Sequence, residues 1–217
     1  MNYKSCIHHK RLRRSLNYFM TFIPQRFTVE AKLRLHISRF TSWAELSLFT
    51  DYRGLEHRNS TALICSRKSL PTVGQKKQTK EYREFLGLVS HEYFHSWNVK
   101  RIKPAAFAPY QLDKATPTSL LWIFEGFTSY YDDLMLLRSG LIDEQQYFDL
   151  IAETISRVNN DSGRIKQSIA ESSFDAWTKF YQQDENARNQ IVSYYSKGSL
   201  VALCLDLLIR QHSNHER

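Results

Sequence analysis

The chain has 217 residues, of which 42% are hydrophobic and 24% charged, and a formal net charge of +8. This length accommodates one good hydrophobic core, which argues against several independent domains. Cys6, Cys65 and Cys204 show no Cys-x-x-Cys spacing, so we expect free thiols and a cytoplasmic protein rather than a disulfide scaffold. No uninterrupted apolar run approaches the roughly 18 residues of a bilayer-crossing helix, which predicts no membrane span.

The positive charge is concentrated in residues 1–45, which contain nine Lys/Arg and two acidic residues. Such an arm contacts nucleic acid or anionic lipid, acts as a secretory signal, or is a leader without a role. Its apolar stretch from Leu16 to Ile23 is interrupted by Asn17 and Thr21 and lacks a cleavage site. We favour the leader, and we expect no nucleic-acid partner.

A strand is predicted around residues 62–65, followed by a polar loop over 71–80 and a helix over about 81–101. Phe85, Leu88 and Val89 recur at helical spacing in a stretch without proline. We expect this helix to end near Pro104, because proline lacks the N–H that a helix interior needs.

That helix contains the motif His91-Glu92-Tyr93-Phe94-His95. Two histidines four residues apart share one helix face, where both imidazoles can hold one Zn²⁺. The adjacent Glu92 is then placed to act as a general base toward water. The alternative is a chance match on an ordinary helix, since most helical histidines are surface or core residues.

A second helix is predicted over about 118–138, and its apolar run contains the single carboxylate Glu125. Burying an uncompensated charge is costly, so Glu125 needs a partner. A metal ion is the interpretation we favour; exposure, or pairing with an arginine, is the alternative. The aspartates Asp132 and Asp133 lie seven and eight residues further on, where one of them can orient a histidine ligand. A solvated helix end explains them equally well.

Three further helices are predicted after this one. Gly140 marks a helix C-terminus, and Asp143 with Gln146 marks the start of a helix running to about Val158. A short helix is expected over 172–181 and a strongly apolar one over 196–210. We expect the last of these to belong to the core.

Four segments in order resemble the glycyl aminopeptidase family, a group of zinc gluzincin peptidases that usually carry a C-terminal PDZ domain. The segments are GLEHRNST (54–61), FLGLVSHEYFHSWNVKRIKP (85–104), LLWIFEGFTSYYDDL (120–134) and SYYSKGSLVAL (193–203). The resemblance extends over about three quarters of the chain. It implies a mostly helical α+β fold, the thermolysin-like zinc metallopeptidase catalytic domain, here with a reduced β portion.

The resemblance also implies roles for individual residues. His91, His95 and Glu125 would hold one Zn²⁺, and Glu92 would be the general base. Tyr195 would donate a hydrogen bond to the oxyanion that forms on the substrate carbonyl, although a packed core tyrosine is the alternative.

In the first segment, Glu56 would receive the free α-amine of a peptide, and the backbone at Gly54 would approach the substrate. The alternative for Glu56 is a strand-edge residue in a surface salt bridge. The family usually has two glycines before Leu-Glu-His, whereas this chain has Arg53 and then Gly54. A long cationic side chain there narrows the cleft or repels an α-ammonium group.

We therefore expect residues 1–45 to form a basic arm and residues 46–217 to form part of a gluzincin catalytic domain, truncated at both ends. The expected function is a zinc-dependent aminopeptidase that acts on peptides, with a preference for N-terminal glycine. The alternatives are an inactive remnant that binds zinc without turnover, or a basic interaction module.

Overall fold

The computed structural model describes residues 43–48, for which only the backbone is described, and residues 52–71 and 78–213. Most of the predicted arm, residues 1–42, lies outside this range. The chain divides into two compact units. Among the described residues, unit 1 comprises those up to Ser96 together with Asp132–Glu144, and unit 2 comprises Trp97–Tyr131 and those from Gln145 onward. Helices predominate over strands, so the expected mostly helical α+β class is confirmed.

Unit 1 contains a three-stranded sheet. Its strands are β1 (Trp43–Leu48), β2 (Arg53–Glu56) and β3 (Ser60–Cys65), arranged in the order β1-β3-β2. The central strand β3 runs parallel to β1 and antiparallel to β2. Alternate side chains of β3, those of Thr61, Leu63 and Cys65, are buried, as expected for a strand with one face on a core. The predicted strand at 62–65 is confirmed and begins two residues earlier.

Helix α1 (Lys80–Phe94) packs on β2 and β3. It begins at Thr79, whose side chain accepts a hydrogen bond of 3.2 Å from the Tyr82 N–H and so satisfies one of the first-turn donors. The residues that recur at helical spacing are the buried ones: Phe85, Leu86, Leu88 and Val89. Burial of this apolar face holds α1 against the sheet.

The predicted end of α1 near residue 101 is wrong, because the helix ends at Phe94. After a turn, Val99 adopts φ 144°, a value that a helix cannot contain and that a β-branched residue rarely adopts. The Asn98 side chain also donates hydrogen bonds of 3.2 Å to the carbonyls of Ile123 and Phe124. No proline or glycine marks the end of α1 at Phe94, and for this reason the sequence pattern predicted a helix that continues toward Pro104.

The segment around Glu125 is a π-helix over Trp122–Gly126 that continues as helix α2 (Phe127–Ser139). The predicted start at 118 was too early, since helical structure begins only after Leu120. Gly140 has φ 77°, and the Leu141 N–H donates to the Leu136 carbonyl at 3.0 Å. This left-handed glycine confirms the predicted helix C-terminus.

The α- and π-helices that follow in the described part of the chain are α3 (Glu144–Asn160), α4 (Ile169–Phe174), a π-helix over Ala176–Phe180, α5 (Ala187–Gln190) and α6 (Tyr194–His212). The predicted start of α3 is confirmed. The predicted helix over 172–181 is instead the end of α4 followed by the π-helix, with Asp175 between them. A capping box formed by Ser168 and Glu171, which was not predicted from the sequence, starts α4.

Within unit 2, α6 crosses the Trp122–Gly126 π-helix at two glycines. A Cβ atom added to Gly126 would lie 2.6 Å from the Cα of Gly198, and one added to Gly198 would lie 2.9 Å from the Trp122 carbonyl oxygen. The two backbones therefore approach more closely than any side chain permits. Further along α6, Asp206 accepts a hydrogen bond of 2.6 Å from the Tyr130 hydroxyl.

The second half of α6 does not belong to the core as expected. Four of its apolar side chains are 41–55% exposed: Leu205, Leu207, Leu208 and Ile209. The stretch Ala187–His212 is also long and apolar enough to cross a bilayer by length and composition, although a third of its most apolar window is buried. A core helix passes the same test, so the absence of a membrane span stays a prediction.

Candidate metal centre

The last turn of α1 presents both predicted histidine ligands. The ring centroids of His91 and His95 lie 4.7 Å apart, and the rings meet edge to face. His95 is the residue that caps the helix and retains right-handed helical angles, so the early end of α1 leaves the i, i+4 relation intact. Its side chain is buried, whereas His91 is partly exposed.

Asp132 orients the ring of His91. The Nδ1–H of His91 donates to Asp132 Oδ2 at 2.9 Å, and both side chains are 13% exposed. Burial raises the pKa of the Asp132 carboxyl, while the hydrogen bond to His91 acts in the opposite direction. With Nδ1 engaged in this way, Nε2 is the atom with which His91 would bind a metal. Of the two aspartates considered from the sequence, Asp132 makes this contact.

Glu92 lies on the side of α1 that faces β2, and its carboxylate is buried against the backbone of Gly54. A Cβ atom added to Gly54 would lie 1.9 Å from Glu92 Oε1 and 2.3 Å from its carboxyl carbon. Only glycine leaves this space. Gly54 thus contacts the predicted general base, a contact that was not predicted from the sequence.

Glu56 lies two residues further along β2, opposite Thr61 in the register. Glu56, Glu92 and His95 offer ligand atoms that all lie within 4.8 Å of one another. Unit 1 therefore brings together the predicted general base, the predicted amine-binding carboxylate and one predicted ligand. This cluster carries two carboxylates, which suits a positively charged group.

Unit 2 carries Glu125 and Tyr195. Glu125 is partly exposed and lies in the π-helix between the buried residues Phe124 and Gly126. Tyr195 lies in the first turn of α6, three residues before Gly198. Burial raises the pKa of Tyr195 well above its usual value, and the negative charge of Glu125 adds to the shift. Like an unperturbed tyrosine, Tyr195 therefore carries its hydroxyl proton at neutral pH, and the shift extends this to more alkaline solution.

The model of the M61 glycyl aminopeptidase family matches residues 84–201, more than half of the chain. The chain belongs to this family. A crystal structure of an aminopeptidase N family protein from Idiomarina loihiensis is similar to the chain, with a TM-score of 0.80 and 48% sequence identity. That similarity covers 96% of this chain and 33% of the other, so the chain spans about a third of the length of this relative. Comparison with curated proteins finds no match.

The M61 match confirms the family that four sequence segments predicted, and it makes the chain a member of a peptidase family. It begins after β3 and ends within α6, so it includes His91, Glu92, His95, Glu125 and Tyr195. Gly54 and Glu56 lie before the matched residues. The roles predicted for them are supported by the first of the four segments and by the packing of β2 against α1, and they stay predictions.

Three features of this M61 chain were missed or left open from the sequence. The contact of His91 with Asp132 could not be distinguished from one with Asp133, since positions seven and eight residues after Glu125 both lie on or near its helix face. The close approach of Gly126 and Gly198 had a signal, because each is a glycine in an otherwise apolar helix. The third feature, the contact of Tyr181 with Tyr195, joins two elements and had no signal in the sequence.

Proposed function

We propose that this chain carries the catalytic segment of a zinc-dependent aminopeptidase that hydrolyses the N-terminal peptide bond of peptides. The observation that carries the proposal is the end of α1, where His91 and His95 face the same way and Asp132 orients the first ring. Metal-binding histidines typically donate their second ring N–H to a carboxylate in this way. The proposed fold is thermolysin-like, with a reduced β portion.

The proposed metal ligands are His91, His95 and Glu125. Two imidazoles and one carboxylate are a donor set that suits zinc and leaves a fourth position open. A zinc ion bound there lowers the pKa of water and polarises a carbonyl group. The geometry of α1 and the orientation of His91 support this set from unit 1, and membership of the M61 family supports the contribution of Glu125 from unit 2.

Glu92 is the proposed general base. Its carboxylate is buried in unit 1 beside the cluster formed with Glu56 and His95, where it can take a proton from the attacking water and pass it to the leaving amine. The absence of a side chain at Gly54 leaves the space that this carboxylate occupies. The position of a reacting group contributes strongly to the rate.

Tyr195 is the proposed donor to the oxyanion, and Glu56 is the proposed receptor for the α-amine. The Tyr195 hydroxyl carries a proton at neutral pH, as tyrosines ordinarily do, and so can donate to the oxyanion. A carboxylate at Glu56 attracts an α-ammonium group and so restricts hydrolysis to the first peptide bond. A preference for N-terminal glycine, a peptide substrate and a cytoplasmic location are part of this proposal.

An inactive zinc-binding remnant is the second candidate. It is favoured by one observation, that Arg53 stands where the family usually has the first of two glycines. In this case the ligands would bind zinc, but the long cationic side chain would narrow the cleft or repel an α-ammonium group. The two candidates share the metal site and differ only in turnover.

The experiment is zinc analysis of the purified protein, followed by hydrolysis of glycyl and alanyl chromogenic amides. We expect one zinc ion per chain and turnover that the Glu92→Gln variant lowers by about a thousandfold without loss of zinc. Stoichiometric zinc without turnover would support the remnant. Absence of bound zinc from protein purified and reconstituted with the ion would exclude both candidates.

A further inference from the structure

The hydroxyl of Tyr195 lies in a chain of three tyrosine hydroxyl groups within unit 2. Tyr181 and Tyr195 are joined by a hydrogen bond of 2.9 Å between their hydroxyl oxygens. The Tyr194 hydroxyl in turn donates to the Tyr181 oxygen at 3.3 Å. Tyr181 is therefore the link between a buried tyrosine and the proposed oxyanion donor.

Aromatic packing holds the rings of these three tyrosines in place. The ring of Phe180 stacks on Tyr195 with centroids 5.8 Å apart, and it contacts Tyr194 at 4.9 Å and Tyr181 at 5.5 Å. The rings of Tyr194 and Tyr195 lie 4.6 Å apart. These contacts restrain the ring of Tyr195. The direction of its hydroxyl proton is then set by rotation about the bond between the ring and the hydroxyl oxygen.

The position of Tyr181 argues against packing as its main role. Tyr181 is 58% exposed, so more than half of its surface makes no packing contact. It directly follows the Ala176–Phe180 π-helix, and its N–H donates to the Ala176 carbonyl at 2.9 Å. This five-residue turn brings the Tyr181 hydroxyl to α6 from an exposed backbone position. Such π-turns are common at functional sites.

We propose that Tyr181 is a positioning residue that donates its hydroxyl proton to the oxygen of Tyr195, so that Tyr195 can direct its own proton at the substrate oxyanion. This inference rests on the oxyanion role proposed for Tyr195. Tyr181 has one proton and two lone pairs, so it can accept from Tyr194 while donating to Tyr195. Successive hydrogen bonds polarise one another, which makes Tyr195 a stronger donor at the end of the chain.

The kinetic test uses the variant Tyr181→Phe, which keeps the ring and removes the hydroxyl. We expect kcat to fall about tenfold, the scale of one neutral hydrogen bond, with little change in KM. Tyr195→Phe should lower kcat by about 10²–10³-fold. The kcat of the double variant should equal that of Tyr195→Phe alone, since Tyr181 acts through Tyr195.

Tyr110→Phe is the matched control and should keep the wild-type kcat. Tyr110 is 50% exposed, and its hydroxyl also accepts a hydrogen bond, from Lys103.

The second readout is ¹⁹F NMR of protein labelled with 3-fluorotyrosine, which needs no activity. The resonance lost in Tyr195→Phe identifies Tyr195. We expect this resonance to shift in Tyr181→Phe and to stay in place in Tyr110→Phe.

The outcomes distinguish this inference from the proposed function. Failure of the wild-type chain to hydrolyse any amide removes the proposed function and this inference with it. Hydrolysis that depends on Tyr195, combined with a wild-type kcat in Tyr181→Phe, overturns the role of Tyr181 alone, whether or not the resonance moves. A lower kcat together with an unmoved resonance also overturns it, because Tyr181 would then act by another route.

Discussion

The two units of this chain contribute proposed active-site residues in different ways. Unit 1 carries His91, Glu92 and His95 within five consecutive residues of one regular helix backed by a sheet. Unit 2 carries Glu125 and Tyr195 on two helices that are distant in sequence and cross at a pair of glycines. The first arrangement depends on local spacing, whereas the second depends on tertiary packing. The sequence therefore predicts how the residues of unit 1 are arranged, but it does not predict how the two helices of unit 2 pack.

The largest expected effect tests whether the two units act on one ion. His95→Ala and Glu125→Ala should each lower zinc affinity by about a thousandfold, which exceeds the 10–100-fold that an outer partner costs. The measurement is competitive zinc titration of folded variants, with far-UV circular dichroism as the check on folding.

Glu56→Gln is the control in this experiment, since Glu56, Glu92 and His95 form the alternative donor cluster within unit 1. It should retain zinc. If Glu56→Gln loses the ion while Glu125→Ala keeps it, the metal is bound by unit 1 alone and the assignment of Glu125 is wrong.

The next effect concerns the position of the base in unit 1. The Cβ of Gly54→Ala would overlap the Glu92 carboxylate, which is the end of a flexible side chain and so moves more easily than the backbone. We expect zinc to be retained and kcat to fall about a hundredfold, as for a displacement of about 1 Å in a reacting group. Steady-state kinetics and zinc analysis on the same preparation measure both quantities.

Gly87→Ala provides the comparison for this variant. Gly87 lies in α1, and the nearest atom to an added Cβ, Asp133 Oδ1, is 3.9 Å away, an ordinary contact. This variant should have wild-type kcat. A wild-type kcat in Gly54→Ala as well would mean that the carboxylate has room to move without consequence.

The same difference explains which features of the structure could be predicted from the sequence alone. The motif at 91–95, the C-terminal glycine at 140 and the buried face of α1 follow from local periodicity, and all three are present in the structure. The end of α1 could not be predicted, because no proline or glycine marks it, and the segment that follows makes its contacts, such as those of Asn98 with the carbonyls of Ile123 and Phe124, with residues distant in sequence. Contacts between distant segments leave no periodic trace in one sequence.

The same limit applies to the environment of the candidate site. Glu125 was identified as an isolated carboxylate in an apolar run, but its π-helical setting was not predicted, since i→i+5 hydrogen bonding has no propensity pattern of its own. The exposure of the second half of α6 was likewise missed. Leu205 and Leu207–Ile209 have the composition of a core helix, and only the fold shows which apolar residues lack cover.

A third prediction concerns the orientation of His91 in unit 1. Asp132→Asn replaces the carboxylate that accepts the Nδ1–H at 2.9 Å with a weaker, neutral acceptor. We expect zinc affinity to fall by about 10–100-fold, the usual cost of losing such a partner. Asp133→Asn, one position further along α2, should stay within about threefold of wild type. Equal losses in both variants would indicate a general effect of negative charge rather than orientation of the ring.

The smallest effect is on stability and belongs to unit 2. Gly126→Ala places a Cβ 2.6 Å from the Cα of Gly198 and 2.7 Å from its carbonyl carbon. Both are backbone atoms, so the helices must separate, and we expect the free energy of unfolding to fall by about 1–3 kcal/mol. Gly87→Ala in unit 1 should instead raise it by about 0.5–1 kcal/mol, because alanine loses less entropy in a helix. Urea unfolding followed by circular dichroism measures both changes.

An unchanged free energy of unfolding in Gly126→Ala would mean that the crossing of α6 over the π-helix adapts to a methyl group. The positions of Glu125 and Tyr195 would then not depend on the glycine pair.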